Sequence, residues 1–326
     1  MITGATGFIG RRLAWQLAEN GHIVHALCRN AEHPFLVSHP RIKVFTGDIL
    51  DGASLRRSMA GCEQLYHTAA MARMWCRNRN EFYEVNVLGT RHVLEAAREM
   101  AIAKVVHTSS CGVLGPTIRL PMTELGPRIV GFPIDYERTK YLADIETQQF
   151  SAEGMNIVTV YPSRVFGLGP VTESNTVGKI VAAYLKGRWR IIPGHGRQLC
   201  NYAYLDDVVQ GHIAAMEKGR SGEGYILGGE DISYNEFFQL LAEVSGRRRR
   251  LIRLSRKLIR AFGLMESIKA GITGLPPKFL PELADRLAFD QRYSSAKAMA
   301  ELDYQITPFL TGLEKTVHFL KARCRN

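Results

Sequence analysis

Tyr136 and Lys140 are the two residues of this 326-residue sequence whose types and spacing best suit proton transfer. The segment DYERTK (135–140) predicts the start of a helix, on which residues four apart share a face. A phenol with a pKa of ~10 is a poor acid at neutral pH, but a nearby ammonium stabilises the phenolate and lowers that pKa. We therefore expect Lys140 to tune Tyr136 as a proton donor. Taken alone, the spacing is more typical of an exposed helical surface, and its position between the glycine turn and the strand at 156–162 favours a site instead.

A serine hydroxyl is expected beside this pair. The apolar run KVVHTS (104–109) predicts a strand, and Ser110 follows directly after it. Doubly wound α/β folds place their chemistry at the carboxyl ends of parallel strands, where a hydroxyl can hydrogen-bond a substrate carbonyl. We choose Ser110 for this role, with Ser109 as the alternative. Serines in such positions also serve as helix caps and turn formers.

The sequence opens MITGATGFIG, a glycine turn typical of nucleotide binding. Gly4 permits a tight turn, Gly7 lets the backbone approach a pyrophosphate, and Gly10 allows the following helix to pack against a strand. The helix N-terminus adds amide donors and positive partial charge. A purely structural turn is the alternative. Because only Met1 and Ile2 precede the Thr-Gly of this turn, we expect either an internal start at Met1 or a first strand shortened to a stub.

The residue after the second strand distinguishes the two nicotinamide dinucleotides. An acid there binds the ribose 2′-hydroxyl of NAD(H), whereas an arginine pairs with the 2′-phosphate of NADP(H). The run HIVHALC (22–28) leads into Arg29 and no carboxylate. NADP(H) is therefore favoured, with NAD(H) as the alternative. A solvated Arg29 without a role in binding is the third interpretation.

Strands and helices alternate through the first half of the chain. Segments with apolar residues three or four apart separate the apolar runs. This succession predicts an α/β fold with a doubly wound parallel sheet, the Rossmann fold, and right-handed crossovers. The runs that predict its strands are residues 22–28, 42–47, 64–69, 104–109 and 156–162.

Glycine and proline punctuation after residue 170 marks a second, smaller α/β lobe that is interleaved with the first domain. We expect a dinucleotide-binding domain at 1–170, with 197–229 partly returning to it. The substrate-binding lobe is expected at 171–196 and 230–326.

Composition favours a soluble, cytoplasmic protein. Apolar residues make up 46% and charged residues 22% of the chain. No apolar run approaches the ~20 residues that a bilayer crossing requires, and no secretory signal precedes the glycine turn. Scattered cysteines without a Cys-x-x-Cys pair favour reduced thiols and indicate no metal site. They are Cys28, Cys62, Cys76, Cys111, Cys200 and Cys324.

The net charge of +11 is concentrated in RRRRLIRLSRKLIR (247–260), whose seven Arg and one Lys have no acid among them. Leu251, Leu254, Leu258 and Phe262 recur at helical spacing, so we expect one helix face to pack while the basic side chains face solvent. Weak attachment to an anionic membrane surface is the second interpretation. We expect no nucleic-acid partner, since no nucleic-acid-binding motif accompanies the charge.

The glycine turn, the serine after a strand and Tyr-x-x-x-Lys, in this order, resemble the extended short-chain dehydrogenase/reductase family, also called the NAD-dependent epimerase/dehydratase family. The resemblance implies an NAD(P)-dependent enzyme with Ser110, Tyr136 and Lys140 as catalytic residues. Further matching segments are GDI (47–49), HTAA (67–70), NVLGT (86–90), YPSRVFG (161–167) and LDDV (205–208). The cofactor-binding residues that follow are Gly4, Thr6, Gly7, Phe8, Ile9, Gly10, Arg29, Asp48, Ile49, Thr68, Ala69, Ala70, Asn86, Tyr136, Lys140, Pro162 and Val165.

Within the family, YERTK (136–140) and YPSRVFG (161–167) are most similar to the dihydroflavonol-reductase-like branch. Nucleotide-sugar members usually carry an arginine for the diphosphate where this chain has Cys200, which argues against such a substrate. We expect interconversion of a carbonyl and an alcohol on a small apolar molecule bound near residues 71–80 and 171–175. The alternatives are a sugar epimerase or dehydratase and a non-catalytic NAD(P)-binding sensor or assembly factor. The resemblance also suggests a homodimer.

Overall fold

The computed structural model describes residues 1–117, 119–277 and 279–323. Cys324 lies outside the described residues, and the other five cysteines are free thiols. The strands are β1 Ile2–Thr3, β2 Val24–Cys28, β3 Ile42–Thr46, β4 Gln64–His67, β5 Lys104–Thr108, β6 Ile157–Pro162, β7 Arg164–Phe166, β8 Ile191–Pro193, β9 Leu199–Tyr204, β10 Gly224–Leu227, β11 Glu230–Ser233 and β12 Ile252–Leu254.

The helices surround these strands, and two short irregular turns accompany them. A π-helical turn, Glu84–Leu88, joins α3 to α4, and a 3-10 turn, Cys111–Val113, follows β5. The helices are α1 Phe8–Glu19, α2 Gly52–Met59, α3 Asn80–Tyr83, α4 Gly89–Glu99, α5 Asp135–Ala152, α6 Thr176–Leu185, α7 Leu205–Lys218, α8 Tyr234–Ser245, α9 Arg256–Thr273, α10 Glu282–Arg286, α11 Ala296–Leu302 and α12 Phe309–Arg323.

Seven strands form one parallel sheet in the order β10-β6-β5-β4-β1-β2-β3, which confirms the predicted doubly wound fold. Alternate residues of its strands enter two separate cores. Val106 and Val158 pack with residues of α1, α7 and α11 on one face, whereas Val105 and Ile157 pack with residues of α2, α4 and α5 on the other. Strand order reverses beside β1, so a ligand site is expected at the carboxyl ends there.

The central strand β1 is only two residues long. Ile2 is fully buried and pairs with Ala26 on one side and Tyr66 on the other. Met1 extends this pairing, because its carbonyl accepts from the Tyr66 amide at 3.0 Å and its α-amino group donates to the Gln64 carbonyl at 2.6 Å. Burial lowers the pKa of that amino group. The two-residue strand agrees with both expectations from the sequence, an internal start at Met1 and a shortened first strand.

A second, smaller unit is built from two further sheets. The strands β7, β9 and β11 form one sheet, and β8 pairs with β12 in the other. Its core is aromatic, with Phe166, Tyr202, Phe237 and Phe309 in mutual ring contact. The segment after β9 returns to the large sheet, where α7 covers one face and β10 forms the edge, so the two units are interleaved as predicted.

The basic segment 247–260 corrects one prediction. The helical spacing from Leu251 to Phe262 predicts a single helix with these residues packed, but residues 252–254 form β12 and helix α9 begins only after Ser255, whose hydroxyl accepts from the Leu258 amide. Leu258 and Phe262 are exposed. Pairing of β12 with β8 shifts the start of the helix, so another stripe is buried. Among the described residues, no helix has both the length and the apolar character that a membrane span requires.

Candidate active site

The glycine turn holds its shape through contacts that exclude side chains at two positions. Gly4 has a φ of +73°, and a Cβ there would lie 2.7 Å from the Ala69 amide nitrogen. A Cβ on Gly10 would lie 2.3 Å from the Gly4 carbonyl oxygen. Near Gly7 only that same oxygen is close, at 3.1 Å. The turn is therefore packed on the strand side and open where Gly7 faces the cleft.

Helix α1 starts directly at this opening. Gly7 is its N-terminal cap and offers no side chain to the first amides, and no acidic residue lies in the first turn. The first amides of a helix have no partners within it and carry its positive partial charge. This end of α1 therefore fits the pyrophosphate of a dinucleotide.

A cavity of about 540 Å³ adjoins the turn and separates the large sheet from the second unit. It brings together most of the residues that the sequence singles out around the nicotinamide half of the predicted cofactor. On its wall lie Gly7, Phe8, Ile9, Gly10, Thr68, Ala70, Ser110, Tyr136, Lys140, Pro162 and Val165. The predicted residues that do not line it are Gly4, Thr6, Arg29, Asp48, Ile49, Ala69 and Asn86.

Two of the residues outside the cavity lie at the far end of the cleft. Arg29 is exposed just after β2, and Asp48 follows β3, with its carboxylate accepting from the Leu50 amide at 2.9 Å. These are the carboxyl ends of neighbouring parallel strands. The placement matches a cofactor that would extend from the cavity towards this edge of the sheet.

Asn86 is enclosed by protein on the π-helical turn. Its side-chain oxygen Oδ1 accepts from the Met71 backbone amide at 2.7 Å, and its side-chain Nδ2 donates to the Thr139 hydroxyl at 2.9 Å. Asn86 thus joins the loop before α3 to helix α5, one residue before Lys140. This geometry indicates that Asn86 positions the cavity wall.

Tyr136 and Ser110 both line the cavity, and the Ser110 hydroxyl also accepts from the Gly112 amide at 3.1 Å. Burial raises the pKa of Tyr136, the Ser110 hydrogen bond and the charge of Arg286 lower it, and the charge of Asp144 raises it. The net pKa is above the usual value, so the expectation that Lys140 lowers it is wrong for the described residues. Burial outweighs the opposing contributions of Ser110 and Arg286, and Tyr136 keeps its proton.

Lys140 faces a buried histidine instead. Its Nζ lies 3.3 Å from Nε2 of His107, and the same ring nitrogen lies 3.4 Å from Oδ1 of Asp144. The other carboxylate oxygen accepts from the Ser109 hydroxyl at 2.7 Å. Burial, followed by the charge of Lys140, holds the pKa of His107 well below its usual range, so the ring is neutral. Nε2 can accept from Lys140 or donate to Asp144, depending on the tautomer.

Burial shifts the two charged members of this cluster in opposite directions. It lowers the pKa of Lys140 to about 8, although the charge of Asp144 opposes the shift. It raises the pKa of Asp144 to about 7, against the charge of Lys140 and the Ser109 hydrogen bond. Both shifts favour the neutral forms, because low-dielectric surroundings penalise isolated charge. The site can therefore exchange protons near neutral pH.

Comparison with known proteins assigns the chain to a family. The model of the NAD dependent epimerase/dehydratase family matches residues 1–228. The chain belongs to this family. A protein of Synechocystis sp. named "Putative dihydroflavonol 4-reductase" is 30% identical, over 98% of this chain and 94% of its own length. The "Sterol demethylase protein B" of Methylococcus capsulatus is 31% identical, over 82% of this chain and 80% of its own length.

Solved structures show the same fold. The UDP-glucose 4-epimerase of Thermotoga maritima, crystallised with UDP-glucose, superimposes with a TM-score of 0.81 at 22% identity, covering 99% of this chain and 98% of that one. The predicted family and its dihydroflavonol-reductase-like relatives are thus confirmed. The family makes this chain an NAD(P)-dependent enzyme of the extended short-chain type.

Sequence reasoning missed four residues in or beside the candidate site. Asp144 lies one helical turn beyond Lys140, so its spacing could have revealed it. His107 lay within the predicted strand and carried no separate signal. Arg164 donates to the Tyr234 hydroxyl at 3.1 Å and lines the cavity, and Arg286 reaches it from α10, where it pairs with Glu137. Only the folded chain brings these two arginines to the cavity that Tyr136 lines.

Proposed function

We propose that this chain interconverts a carbonyl and an alcohol on a small apolar molecule, with a nicotinamide dinucleotide as its cofactor. One observation carries the proposal. Ser110, Tyr136 and Lys140 share a cavity with the open N-terminus of α1, and the wall that the second unit contributes is rich in aromatic residues. Aromatic and aliphatic residues of that wall include Trp189, Phe237, Phe238, Phe262, Phe279 and Phe289.

The bound cofactor supplies or accepts a hydride at the substrate carbon. Tyr136 donates its phenolic proton to the carbonyl oxygen, and Ser110 donates a hydrogen bond to the same oxygen. Lys140, by resemblance to the family, holds the nicotinamide ribose. Because burial keeps Tyr136 protonated at neutral pH, its hydroxyl can serve as the proton donor when a carbonyl is reduced.

The apolar wall supports a hydrophobic substrate rather than a nucleotide sugar. Cys200, at the position where nucleotide-sugar enzymes usually place an arginine, is buried on this wall and brings no charge to a diphosphate. Relatives named as a dihydroflavonol reductase and a sterol demethylase protein agree with a ring-shaped apolar substrate. Residues 1–170 would then bind the dinucleotide. Residues 171–196 and 230–326 would bind the substrate, and residues 197–229 would belong partly to the dinucleotide-binding domain. A homodimer stays a prediction from the resemblance.

We also propose NADP(H) as the preferred cofactor. Arg29 stands exposed just after β2, where a 2′-phosphate would lie, and Cys28 precedes it instead of an acid. A guanidinium recognises phosphate by paired hydrogen bonds. NADPH should therefore show a lower KM than NADH in the assay below.

Tyr136→Phe tests the proposed reaction. The variant removes only the hydroxyl, so kcat for reduction of an apolar ketone should fall about 10²- to 10⁴-fold. Binding of NADPH, followed by fluorescence, should stay within about twofold of the unmodified chain. Steady-state consumption of NADPH with a panel of flavonoid, sterol, isoprenoid and sugar ketones is the measurement.

Tyr141→Phe is the matched control, because Tyr141 lies on the same helix with its side chain exposed to solvent. It should leave turnover unchanged. Full activity of Tyr136→Phe would contradict the proposal. Turnover without net consumption of NADPH would indicate an epimerase, and tight NADPH binding without turnover of any ketone would indicate a sensor.

A further inference from the structure

Helix α9 leaves large apolar side chains exposed to solvent, whereas an ordinary surface helix buries them. Its buried residues form a narrow stripe that includes Ile259, Gly263 and Ala270. The opposite side carries large apolar residues at helical spacing, here called the outer stripe, and each is more than half exposed. The outer stripe consists of Leu258 at 59%, Met265 at 56%, Ile268 at 67% and Ile272 at 82% exposure.

An apolar stripe of this length is unusual on a free protein surface. Exposed large apolar residues normally occur singly, and contiguous patches mark contact with another molecule or with a membrane. The outer stripe runs through most of α9, from Leu258 to Ile272. Something apolar is therefore expected to cover it.

The charge around the stripe identifies that partner. Residues 244–281 contain ten Arg and Lys but Glu266 as their sole acid. Glu266 lies in the buried stripe, so the basic side chains dominate the outside of α9. Those on the helix itself are exposed at Arg256, Lys257, Arg260 and Lys269, on both flanks of the outer stripe. An apolar stripe flanked by cations suits the interface of an anionic bilayer.

A second copy of this chain suits the stripe less well. Pairing two outer stripes would bring two sets of these cations together. Like charges at close range oppose such a contact, whereas anionic headgroups neutralise them. The charge complementarity therefore favours lipid over self-association.

The inner side of the same helix forms part of the cavity wall. Ile259 and Phe262 line the cavity, and the ring of Phe262 packs edge-on against Phe279 at 6.1 Å between centroids. One helix thus separates the apolar cavity from the outer stripe. A membrane that contacts α9 would lie against this end of the cavity.

We infer that α9 docks the protein on an anionic membrane surface, with the outer stripe in the headgroup region and the adjoining cavity positioned to take its apolar substrate from the bilayer. Docking itself is independent of the proposed reductase function, whereas the delivery of substrate depends on it. The chemistry required of the partner is an anionic lipid surface, and no lipid species is specified.

Co-sedimentation of the full chain with vesicles tests docking. Vesicles of phosphatidylcholine with about one third phosphatidylglycerol should bind the unmodified chain, and pure phosphatidylcholine should bind it far less. Ile268→Ser with Ile272→Ser should weaken binding at least about tenfold, because it removes two apolar side chains from the interface. Lys257→Gln with Lys269→Gln should weaken binding to the anionic vesicles about 10- to 30-fold.

Matched controls distinguish the outer stripe from exposed apolar residues and exposed cations elsewhere on the surface. Leu120 and Leu125 are 81% and 94% exposed and lie outside α9, so Leu120→Ser with Leu125→Ser should bind as the unmodified chain does. Arg41→Gln with Lys43→Gln removes two exposed cations at the distant edge strand and should likewise have little effect. Unchanged urea unfolding of all four variants would show that the fold is intact.

Three outcomes would overturn the inference. The unmodified chain could fail to bind anionic vesicles, or the stripe variant could bind them as tightly as the unmodified chain. The stripe variant could also convert a dimer into a monomer in sedimentation without lipid, which would assign the stripe to a second copy.

Activity assays keep this inference distinct from the proposed reaction. A ketone embedded in anionic vesicles should be reduced at least about tenfold more slowly by the stripe variant, while a water-soluble ketone is reduced at the same rate. Vesicle binding without turnover of either ketone would count against the reaction alone. Turnover of the soluble ketone without vesicle binding would count against docking alone.

Discussion

Helices α5 and α9 are each eighteen residues long, yet they distribute their side chains in opposite ways. Helix α5 buries charged residues and α9 exposes apolar ones. The ionisable residues that α5 buries are Glu137, Lys140, Asp144 and Glu146. Each has a polar neighbour on another element, such as the bidentate pairing of Arg91 with Glu146 at 2.6 and 2.9 Å.

The difference shows two ways in which function departs from ordinary helix patterning. Buried charge is tolerated on α5 because hydrogen bonds and opposite charges compensate the lost hydration. Exposed apolar area on α9 costs the folded state little, since it is exposed in the unfolded chain as well. The first departure lowers stability in order to assemble a site. The second leaves the stability of the fold nearly unchanged and creates an apolar surface that a binding partner can cover.

The largest expected effect comes from removing the buried charges of α5. Lys140→Met with Asp144→Asn keeps the side-chain sizes and the acceptor for Ser109 but removes both charges. Because burial disfavours both charged forms, the free energy of unfolding should rise by about 3 kcal/mol near neutral pH, while activity is lost. Urea unfolding and the ketone assay measure the two effects.

Arg56 and Glu99 provide the control for that variant. They form an exposed pair at 3.1 Å between α2 and α4, so Arg56→Met with Glu99→Leu should change the free energy of unfolding by less than about 1 kcal/mol. A loss of stability in the α5 variant would show that the buried charges support the fold, and the contrast with α9 would fail.

The next effect sharpens the α9 side of the comparison. A Cβ on Gly263 would lie 2.6 Å from the backbone nitrogen of Pro281, which cannot move aside easily. Gly263→Ala should therefore lower the free energy of unfolding by about 2 kcal/mol through overpacking. Urea unfolding is the measurement.

Gly271→Ala is the matched substitution on the exposed side of α9, where a Cβ would meet nothing within 4 Å. It should raise the free energy of unfolding by about 0.5–1 kcal/mol, because alanine is the better helix former. Equal effects of the two substitutions would refute the narrow buried stripe.

The last prediction is a dependence of stability on pH. Asp144 has a folded pKa of about 7, above its usual 3.8, so its contribution to stability is present at low pH and lost as pH rises to 7. Lys140 has a folded pKa of about 8, below its usual 10.5, so its contribution is present at high pH and lost as pH falls to 8.

The chain should therefore be least stable between pH 7 and 8, relative to the variant without these charges. The difference should shrink on either side by at most about 1.4 kcal/mol per pH unit. Urea unfolding of both proteins across this range measures it. A constant difference at every pH would contradict the assigned pKa shifts.

Much of the nucleotide-binding half was predictable because its signals are local. Alternating apolar runs and helical segments set the order of strands, and the spacing of Gly4, Gly7 and Gly10 follows from contacts within a single turn. The placement of Tyr136 and Lys140 on one helix needs only one helical turn, whereas the contact of Lys140 with His107 needs the folded sheet. The length of strand β1 was harder to predict, but the position of the glycine turn so near Met1 already indicated a short strand in this sequence.

The second unit was less predictable because its elements depend on distant partners. Residues 252–254 could continue a helix by spacing alone, but pairing with β8 makes them a strand. The predicted packing of Leu258 and Phe262 failed for the same reason. Which stripe of a helix is buried depends on what packs against it, and Gly263 fits closely under Pro281 whereas a leucine would not.

The amino-acid sequence by itself determined the succession of strands and helices, the glycine turn and the placement of Tyr136 and Lys140 on one helix, since each is encoded by residues close together in the chain. Only the tertiary structure decided the electrostatics of the site and the orientation of α9. Burial reversed the predicted direction of the Tyr136 pKa shift. The packing of α5 on the sheet placed His107 near Lys140 and Asp144. Burial depends on every element that surrounds a group, so no local pattern encodes it.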